Sequence, residues 1–356
     1  MLFLYSKVNK KMMYFCTKLR RMKNIGKLLF YAFLLLLFTE CKPEFNQNAD
    51  YKDITVTYGL LNPKDSAHYI KVYKAFLTDG NAILAAGDLD NISYYDQIDV
   101  SVEEYINNRL NRTLPFTMTT AIPKDSGIFA YNPQVLYYST ATLNPDALYK
   151  LKIINLQSGK EITAETPIVG NFSIIQPFSD IASFLTSNSS TVKFRKAPNA
   201  VAYDIYLKFY YLEVNKNTGD TITPNGVIQW KVTRVRSEQS SIEVLAALNQ
   251  LYTVIASRLK PNENLTRYTN GIECVELEIW GAEENYMIYL DINEPSSSLV
   301  QDRVMYTNME TADGSAYGIF SSRNIARKKF KLINSTNNAA RDSLLYGSIT
   351  GHLGFE

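Results

Sequence analysis

From about residue 54 onward, apolar and polar positions alternate in short runs. Ile98, Val100 and Val102 alternate with Asp99, Ser101 and Glu103, and a period of two marks a strand with one buried face. Residues 54–61 and 67–76 read as two further strands. Between them, Asn62-Pro63-Lys64-Asp65 is turn chemistry, because Asn and Asp side chains bond their own backbone and Pro presets φ. Residues 135–139 form another apolar run. Residues 148–156 and 161–169 flank Gln157-Ser158-Gly159-Lys160, which predicts a hairpin. A boundary falls over 170–177, and strand signals resume at 192–196, 205–214, 227–235, 272–280 and 317–332. Two stretches change period. Leu245, Leu248, Tyr252, Ile255 and Leu259 follow at helical spacing, Ser240 and Glu243 give a capping-box pattern, and Pro261 stops the run; this predicts a helix over 241–259. Residues 282–292 predict a second, with Glu283 and Glu284 complementing the positive end of the helix dipole.

One local pattern is more specific. In Leu143-Asn144-Pro145-Asp146-Ala147-Leu148-Tyr149-Lys150-Leu151-Lys152-Ile153, Tyr149, Leu151 and Ile153 share one strand face. A tyrosine near a strand start, after such a corner, resembles the tyrosine corner of immunoglobulin and fibronectin type III sandwiches. The alternative is a strand that simply begins after a proline turn. The expected fold class is mainly β, with an immunoglobulin/fibronectin-III-like β-sandwich domain over 53–170. A second β-sandwich-like domain with helical insertions follows over 171–356.

The first forty residues follow different rules. Residues 28–38 are an apolar run of eleven behind Lys23 and Lys27, and Thr39-Glu40-Cys41 closes it. Eleven residues suit a signal core and are short of the roughly 20 that span a bilayer. The arrangement resembles a bacterial lipoprotein signal, with Cys41 as the lipidated mature N-terminus. Glu40 departs from the small residue usual before that cysteine, and cleavage by another signal peptidase is the runner-up. Met22 is the better start, with residues 1–21 read as a wrongly assigned upstream extension. A genuine signal anchor with a long cytoplasmic tail is the alternative. Residues 1–40 are therefore the signal segment and 41–52 a polar tether.

That reading changes the charge. The chain has 37 basic and 35 acidic residues. Without residues 1–40 it keeps 29 basic and 34 acidic, a net −5. No basic patch is retained, so no nucleic-acid partner is expected. Of three cysteines, Cys16 and Cys41 fall at or before the anchor. Cys274 alone remains in the body, which leaves no intramolecular disulfide and no cysteine-rich metal site.

Candidate chemistry is sparse. The two histidines are His68, in a strand on the face of Ile70 and Val72, and His352 near the chain end. Neither has motif spacing for a zinc site or a triad. There is no G-x-S-x-G elbow, phosphate-binding glycine loop or H-E-x-x-H. Asp88-Leu89-Asp90-Asn91 lacks regular calcium-ligand spacing and reads as a solvated loop. Glu103, Glu104, Glu283 and Glu284 read as exposed strand and helix positions. No catalytic residue, metal ligand or cofactor site is assigned. Arg327-Lys328-Lys329-Phe330-Lys331 reads as a protected or solvated strand edge. The positive signal is 25 tyrosines against two tryptophans. Tyr69 and Tyr73 share a strand face; Tyr137, Tyr138, Tyr206, Tyr210 and Tyr211 also lie on strands. Exposed tyrosines suit protein or glycan contact, although aromatics also favour strands in general.

Several short segments carry a family resemblance. They are Tyr58-Gly59-Leu60-Leu61-Asn62-Pro63, Tyr69-Ile70-Lys71-Val72, Lys74-Ala75-Phe76-Leu77, Ala282 to Leu290 with Tyr286 and Tyr289, Tyr306-Thr307-Asn308-Met309-Glu310 and Gly318-Ile319-Phe320-Ser321-Ser322. Together they resemble uncharacterised Bacteroidota outer-membrane lipoproteins. Asp65-Ser66-Ala67, Asp220-Thr221-Ile222 and Asp342-Ser343-Leu344 resemble the O-glycosylation triplet of exported proteins of that group. The resemblance implies an outer-membrane location, periplasmic or surface-exposed, association with a nutrient uptake system, and no catalytic residues. The expectation is a lipid-anchored, non-catalytic binding or accessory component of the cell envelope. It would be held to the membrane through Cys41 and would contact a protein or glycan partner. The alternatives are an adhesin-like or structural component that assembles through sheet edges, and a glycan-active enzyme with spatially paired carboxylates.

Overall fold

Most of the alternating segments do become strands: residues 98–106 bury one face, whereas 275–282 and much of 316–326 are buried on both. In a computed structural model, residues 53–78, 81–124, 133–293, 305–334 and 339–356 are described. The expected signal, Cys41 and the tether lie outside them. In chain order the strands are β1 (Thr55–Leu61), β2 (His68–Lys74), β3 (Ile98–Ile106), β4 (Arg109–Thr119), β5 (Leu136–Ser139), β6 (Leu148–Asn155), β7 (Glu161–Pro167), β8 (Ile174–Gln176), β9 (Ser190–Arg195), β10 (Ala202–Asn215), β11 (Thr221–Arg236), β12 (Ser241–Ala246), β13 (Leu265–Thr269), β14 (Val275–Ala282) and β15 (Ala316–Phe330). The helices are α1 (Ala82–Ala85), α2 (Leu89–Ile92), α3 (Leu251–Arg258), α4 (Glu284–Asn293) and α5 (Ala340–Tyr346). The protein is mainly β.

One long sheet runs β11-β10-β14-β15-β1-β2-β5-β4-β3-β6-β7, with β13 beside β10, and β12-β9-β8 form a second sheet. β1 pairs parallel with β15. The long sheet folds over on itself through β4, whose Val100-facing half pairs β3 while Thr117–Thr119 pair β5. At the far side, backbone bonds in both directions between Thr163 on β7 and Glu310 (2.9 and 2.7 Å) help close the layers.

Two buried clusters result. The first gathers Leu61, Ile70 and Val72 with Val100, Val102, Tyr149, Leu151 and Ile153. The second packs Phe194 and Ile242 of the small sheet against Tyr203, Ile205, Leu207 and Leu277, with Leu251 and Ile255 of α3. They meet at Ile168 and Val169, which are both fully buried and belong to different clusters. β15 serves both: Ala316 and Phe320 lie in the first cluster, Ala326 and Phe330 in the second.

The predicted helix over 241–259 is corrected. Residues 241–246 form β12, in register with β9. Ile242 is buried and Glu243 pairs with Lys193 at 3.2 Å. The β-branched Ile242 and Val244 gain a ladder and a buried face there, which outweighs a helical period carried mainly by later residues. The helix is confined to α3. The helix predicted over 282–292 is α4. The basic run at 327–331 lies partly along an edge. It is paired to β14 on one side. On the other, Lys328 Nζ donates to the carbonyls of Pro177 and Phe178, and Lys64 Nζ donates to Ile325 O at 2.9 Å.

Candidate functional site

Strand alternation turns Tyr58 of β1 and Tyr69, Lys71 and Tyr73 of β2 away from the core, because Thr57, Ile70 and Val72 take the buried face. Sheet order then assembles what sequence distance separates. Tyr58 lies opposite Lys71 and diagonal to Tyr73, and the two rings stack with centroids 6.1 Å apart. Tyr69 lies opposite Tyr138 of β5, and that pair stacks at 6.2 Å. Tyr289 of α4 meets the edge of Tyr58 at 6.1 Å. Four tyrosines thus share one region of a sheet face, with Tyr289 of α4 packed against Tyr58. Tyr58 and Tyr69 keep 36% and 39% of their surface exposed.

A groove of about 390 Å³ opens beside this face, between β1, β2 and α2, a size typical of small-ligand sites. Tyr58, Tyr73 and Phe76 contribute aromatic surface, and Lys71, Lys74 and Lys124 contribute charge. Lys71 Nζ sits 5.7 Å from the Tyr73 ring centre, within cation–π range. Burial, and then the neighbouring Lys124, push the Lys71 ammonium below its usual range. Burial raises Tyr58 and Tyr73, and takes Tyr289 up to about 12. These three hydroxyls are therefore neutral near pH 7 and able to donate hydrogen bonds.

The other tyrosines named from sequence go elsewhere. Tyr137 is buried and donates to Tyr95 O. Tyr206 packs on Trp280 at 5.0 Å. Tyr210 donates to Glu276 at 2.5 Å, and Tyr211 stacks on Phe209. Tyr149 behaves as the corner pattern predicts: its hydroxyl accepts from Asn144 N at 2.7 Å and donates to Glu104 at 2.5 Å. Tyr203 makes a second such return, accepting from Ala197 N at 2.8 Å.

Several acidic residues are committed to internal partners. Glu104 and Glu283, read from sequence as exposed, are 1% and 5% exposed. Burial favours the neutral form of Glu104, but hydrogen bonds from Arg112, Tyr149 and Asn111 outweigh it and hold the carboxyl at about 2. Glu283 accepts from Ser321 at 2.6 Å and Asn285 N at 3.0 Å. Glu278 accepts from Lys208 (2.9 Å), Arg327 (2.7 Å) and Trp280 (2.9 Å). Asp204 takes Arg234 in a two-bond fork at 2.6 and 2.9 Å. A cavity of about 100 Å³ lies beside Asp204, Trp280 and Arg323 under α4. Asp88 caps α2 by accepting from Asp90 N at 3.0 Å, so the acidic cluster is helix-start chemistry.

His68 is 3% exposed and donates from Nε2 to Ala141 O at 3.1 Å. Burial lowers its affinity for a second proton. His352 lies on an exposed turn (Gly351–Leu353). The Cys274 thiol is buried and pushed up to about 12, which makes it unreactive. Among the described residues no cluster of three His, Cys, Asp or Glu could hold a metal ion. No helix among them is long and apolar enough to cross a membrane.

Sequence reasoning found Tyr69 and Tyr73 as one face. It missed Tyr58, Tyr289, Lys71 and Lys124 as members of the same site. The alternation Tyr69-Ile70-Lys71-Val72-Tyr73 carried Lys71 in plain view; the others arrive only through strand order and the position of α4.

No family model matches the chain, and no curated protein is similar to it. Two solved structures show low likeness. The C-terminal globular domain of an oligosaccharyltransferase from Pyrococcus abyssi is 13% identical over 63% of this chain and 46% of its own, with a TM-score of 0.23. The chain thus spans about half the length of that structure. CBD12 from CALX1.2 is 8% identical over 77% of this chain and 99% of its own, with a TM-score of 0.13. At such TM-scores neither likeness bears on function.

Proposed function

We propose that the protein is a non-catalytic, lipid-anchored component of the bacterial cell envelope that binds glycan through its tyrosine face. The observation that carries this reading is the group of Tyr58 and Tyr69, exposed, with the half-buried Tyr73, Tyr138 and Tyr289, beside a groove. Flat aromatic rings offer apolar area to the C–H face of a sugar at small entropic cost, and their neutral hydroxyls bond its hydroxyls. The carboxylates described above support a non-catalytic role, since each already serves an internal ion pair or hydrogen bond. The outer-membrane location, the link to nutrient uptake and the kinship with Bacteroidota lipoproteins rest on Cys41 and the resemblances in the sequence.

Assembly through a sheet edge is the second reading. β11, sixteen residues long, ends the sheet order and has no strand partner on its outer side among the described residues. It carries Pro224, Lys231, Arg234 and Arg236 and pairs with β10 through several register shifts, which are devices that discourage strand addition. The glycan reading is therefore preferred.

Two measurements test the proposal. Isothermal titration against a panel of bacterial and plant oligosaccharides should find a binder, and Tyr58→Ala with Tyr73→Ala should weaken it at least tenfold. Unchanged affinity in that double variant would move the site elsewhere. Radiolabelled palmitate should be incorporated by the wild-type chain and lost in Cys41→Ser; label that persists refutes the anchor.

A further inference from the structure

The cavity under α4 lies on the outward side of the sheet that covers the second core. Tyr203, Ile205 and Leu207 of β10 fill that core, so Ala202, Asp204 and Tyr206 face the other way. Trp280 lies opposite Asp204, and Arg323 lies opposite Ala282, itself opposite Ala202. Register therefore sets Trp280 and Arg323 on the same outward face. Tyr286, Met287 and Leu290 of α4 close the space from above. The short side chains of Ala202 and Ala282 help leave about 100 Å³ between sheet and helix.

Charge in this space is uneven. Its described lining residues include three cations, Lys231, Arg234 and Arg323, and one carboxylate, Asp204. That carboxylate already bonds Lys231 at 3.2 Å and Arg234 at 2.6 and 2.9 Å. Arg323 is held differently. Its guanidinium lies 5.0 Å from the Trp280 ring centre, and its Nε is buried with no hydrogen-bond partner. Folds seldom leave a buried N–H unmet, least of all on a charged group. One water needs only about 10–15 Å³, so the space beside Arg323 admits something larger. Nε and one Nη of a guanidinium form a planar two-donor edge that matches a carboxylate. Burial keeps the Tyr286 and Tyr206 hydroxyls protonated at neutral pH, so they add donors and no negative charge. Trp280, Met287 and Leu290 supply apolar wall.

We propose that this cavity binds a small organic monocarboxylate, with its carboxylate forked on Nε and Nη of Arg323 and its carbon chain against Trp280, Met287 and Leu290. Size and charge limit the ligand. A cavity of about 150 Å³ takes benzene, so this one takes an acid of roughly two to four carbons. An amino acid is selected against, because its ammonium would enter a space lined by three cations. The site is independent of the tyrosine face, since the two openings share no described lining residue.

The test titrates the purified full chain with butyrate, butyramide, 2-aminobutyrate and inorganic sulfate, followed by ligand-observed NMR. Butyrate should bind with a millimolar or tighter constant, at least tenfold more tightly than butyramide or 2-aminobutyrate. Arg323→Lys keeps the charge but loses the planar fork and should weaken butyrate about tenfold. Arg323→Gln should erase the preference over butyramide. Urea midpoints show whether each variant is folded. Leu290→Trp, on the helix that roofs the cavity, fills the space while leaving Arg323 in place and should block butyrate; it serves as the test if the arginine variants unfold. Butyrate binding that survives unchanged in folded Arg323→Gln or Leu290→Trp overturns the proposal. Sulfate binding as tightly as butyrate marks a general anion site and overturns it too. Absence of butyrate binding at about 50 mM, far above a millimolar constant, leaves water as the partner of Nε and also overturns it.

Discussion

Glu104 sits 1% exposed beneath the corner that Asn144 and Tyr149 close, where burial alone would favour the neutral acid. Its environment reverses that preference. Arg112 reaches both carboxylate oxygens (3.0 and 2.8 Å), Asn111 donates at 2.6 Å and Tyr149 at 2.5 Å. The carboxyl therefore titrates at about 2 in the folded protein against an ordinary 4.5. The sign of the stability effect follows. Between these values the unfolded chain binds a proton that the folded chain refuses, so unfolding is favoured as pH falls. The contribution is complete above pH 4.5 and lost as pH drops through about 2. Urea midpoints measured from pH 6 to pH 2 should show this acid limb in the wild type. Glu104→Gln should start less stable at pH 6, by about 1–3 kcal/mol for a disrupted buried network, and then lose less as pH falls. Parallel acid limbs in the two proteins would show that Glu104 carries no such linkage. Other low-titrating carboxylates, Asp204 and Glu278, contribute equally to both proteins and cancel in the comparison.

At the level of elements, what could be read from sequence was what each segment encodes by itself. β3, β6 and β7 advertise their own alternation, and the turn between β6 and β7 carries Asn155 Oδ1 bonds to Gln157 N and Ser158 N. Tyr149 was legible because its partner Asn144 is five residues away. β4 was not: Leu114, Phe116 and Met118 alternate with Pro115 and Thr117, but a proline inside the run argues against a paired strand and Arg109–Thr113 add little apolar content. β12 was masked by a neighbouring helical period, and its identity depends on β9, some fifty residues earlier in the chain. β15 was recognised as strand, but its buried polar residues gave no sign of their task. Ser322 Oγ donates to Pro167 O at 2.6 Å, and Asn324 Nδ2 donates to Val169 O and Gly170 O at 3.1 and 2.9 Å. Those partners lie about 150 residues upstream, beyond any local pattern. The candidate site divides the same way. Tyr69, Lys71 and Tyr73 belong to one strand and share its period, whereas Tyr58, Tyr138, Tyr289 and Lys124 join them through β1, β5, α4 and the segment after β4.

For the whole molecule, the consequence of β15 is mechanical coupling between the two buried clusters. Its first residues fill one core and its last residues the other, and Ser322 and Asn324 between them satisfy the backbone where the chain crosses at 167–170. Gly318 keeps β15 against β1: it sits at φ +108°, and a Cβ there would lie 1.9 Å from Thr57 O. Neither core can release β15 without exposing apolar residues of the other and orphaning buried carbonyls, each costing about 1–3 kcal/mol. Residues 53–356 should therefore unfold in one cooperative transition. Phe194→Ala tests this, because Phe194 is fully buried in the second core against Tyr203 and its loss costs about 3–5 kcal/mol. Trp230 packs against the second core and Trp280 stacks on Tyr206 of β10, so fluorescence reports on that half of the structure. Native-state hydrogen exchange at Val102 and Leu151 follows the other. Exchange through global unfolding should accelerate at these first-core amides by the same factor as at Leu207 in the second. Acceleration confined to Leu207 would mean that β15 can be shed by one core while the other stays folded, and that the tyrosine face is carried by an independently stable unit.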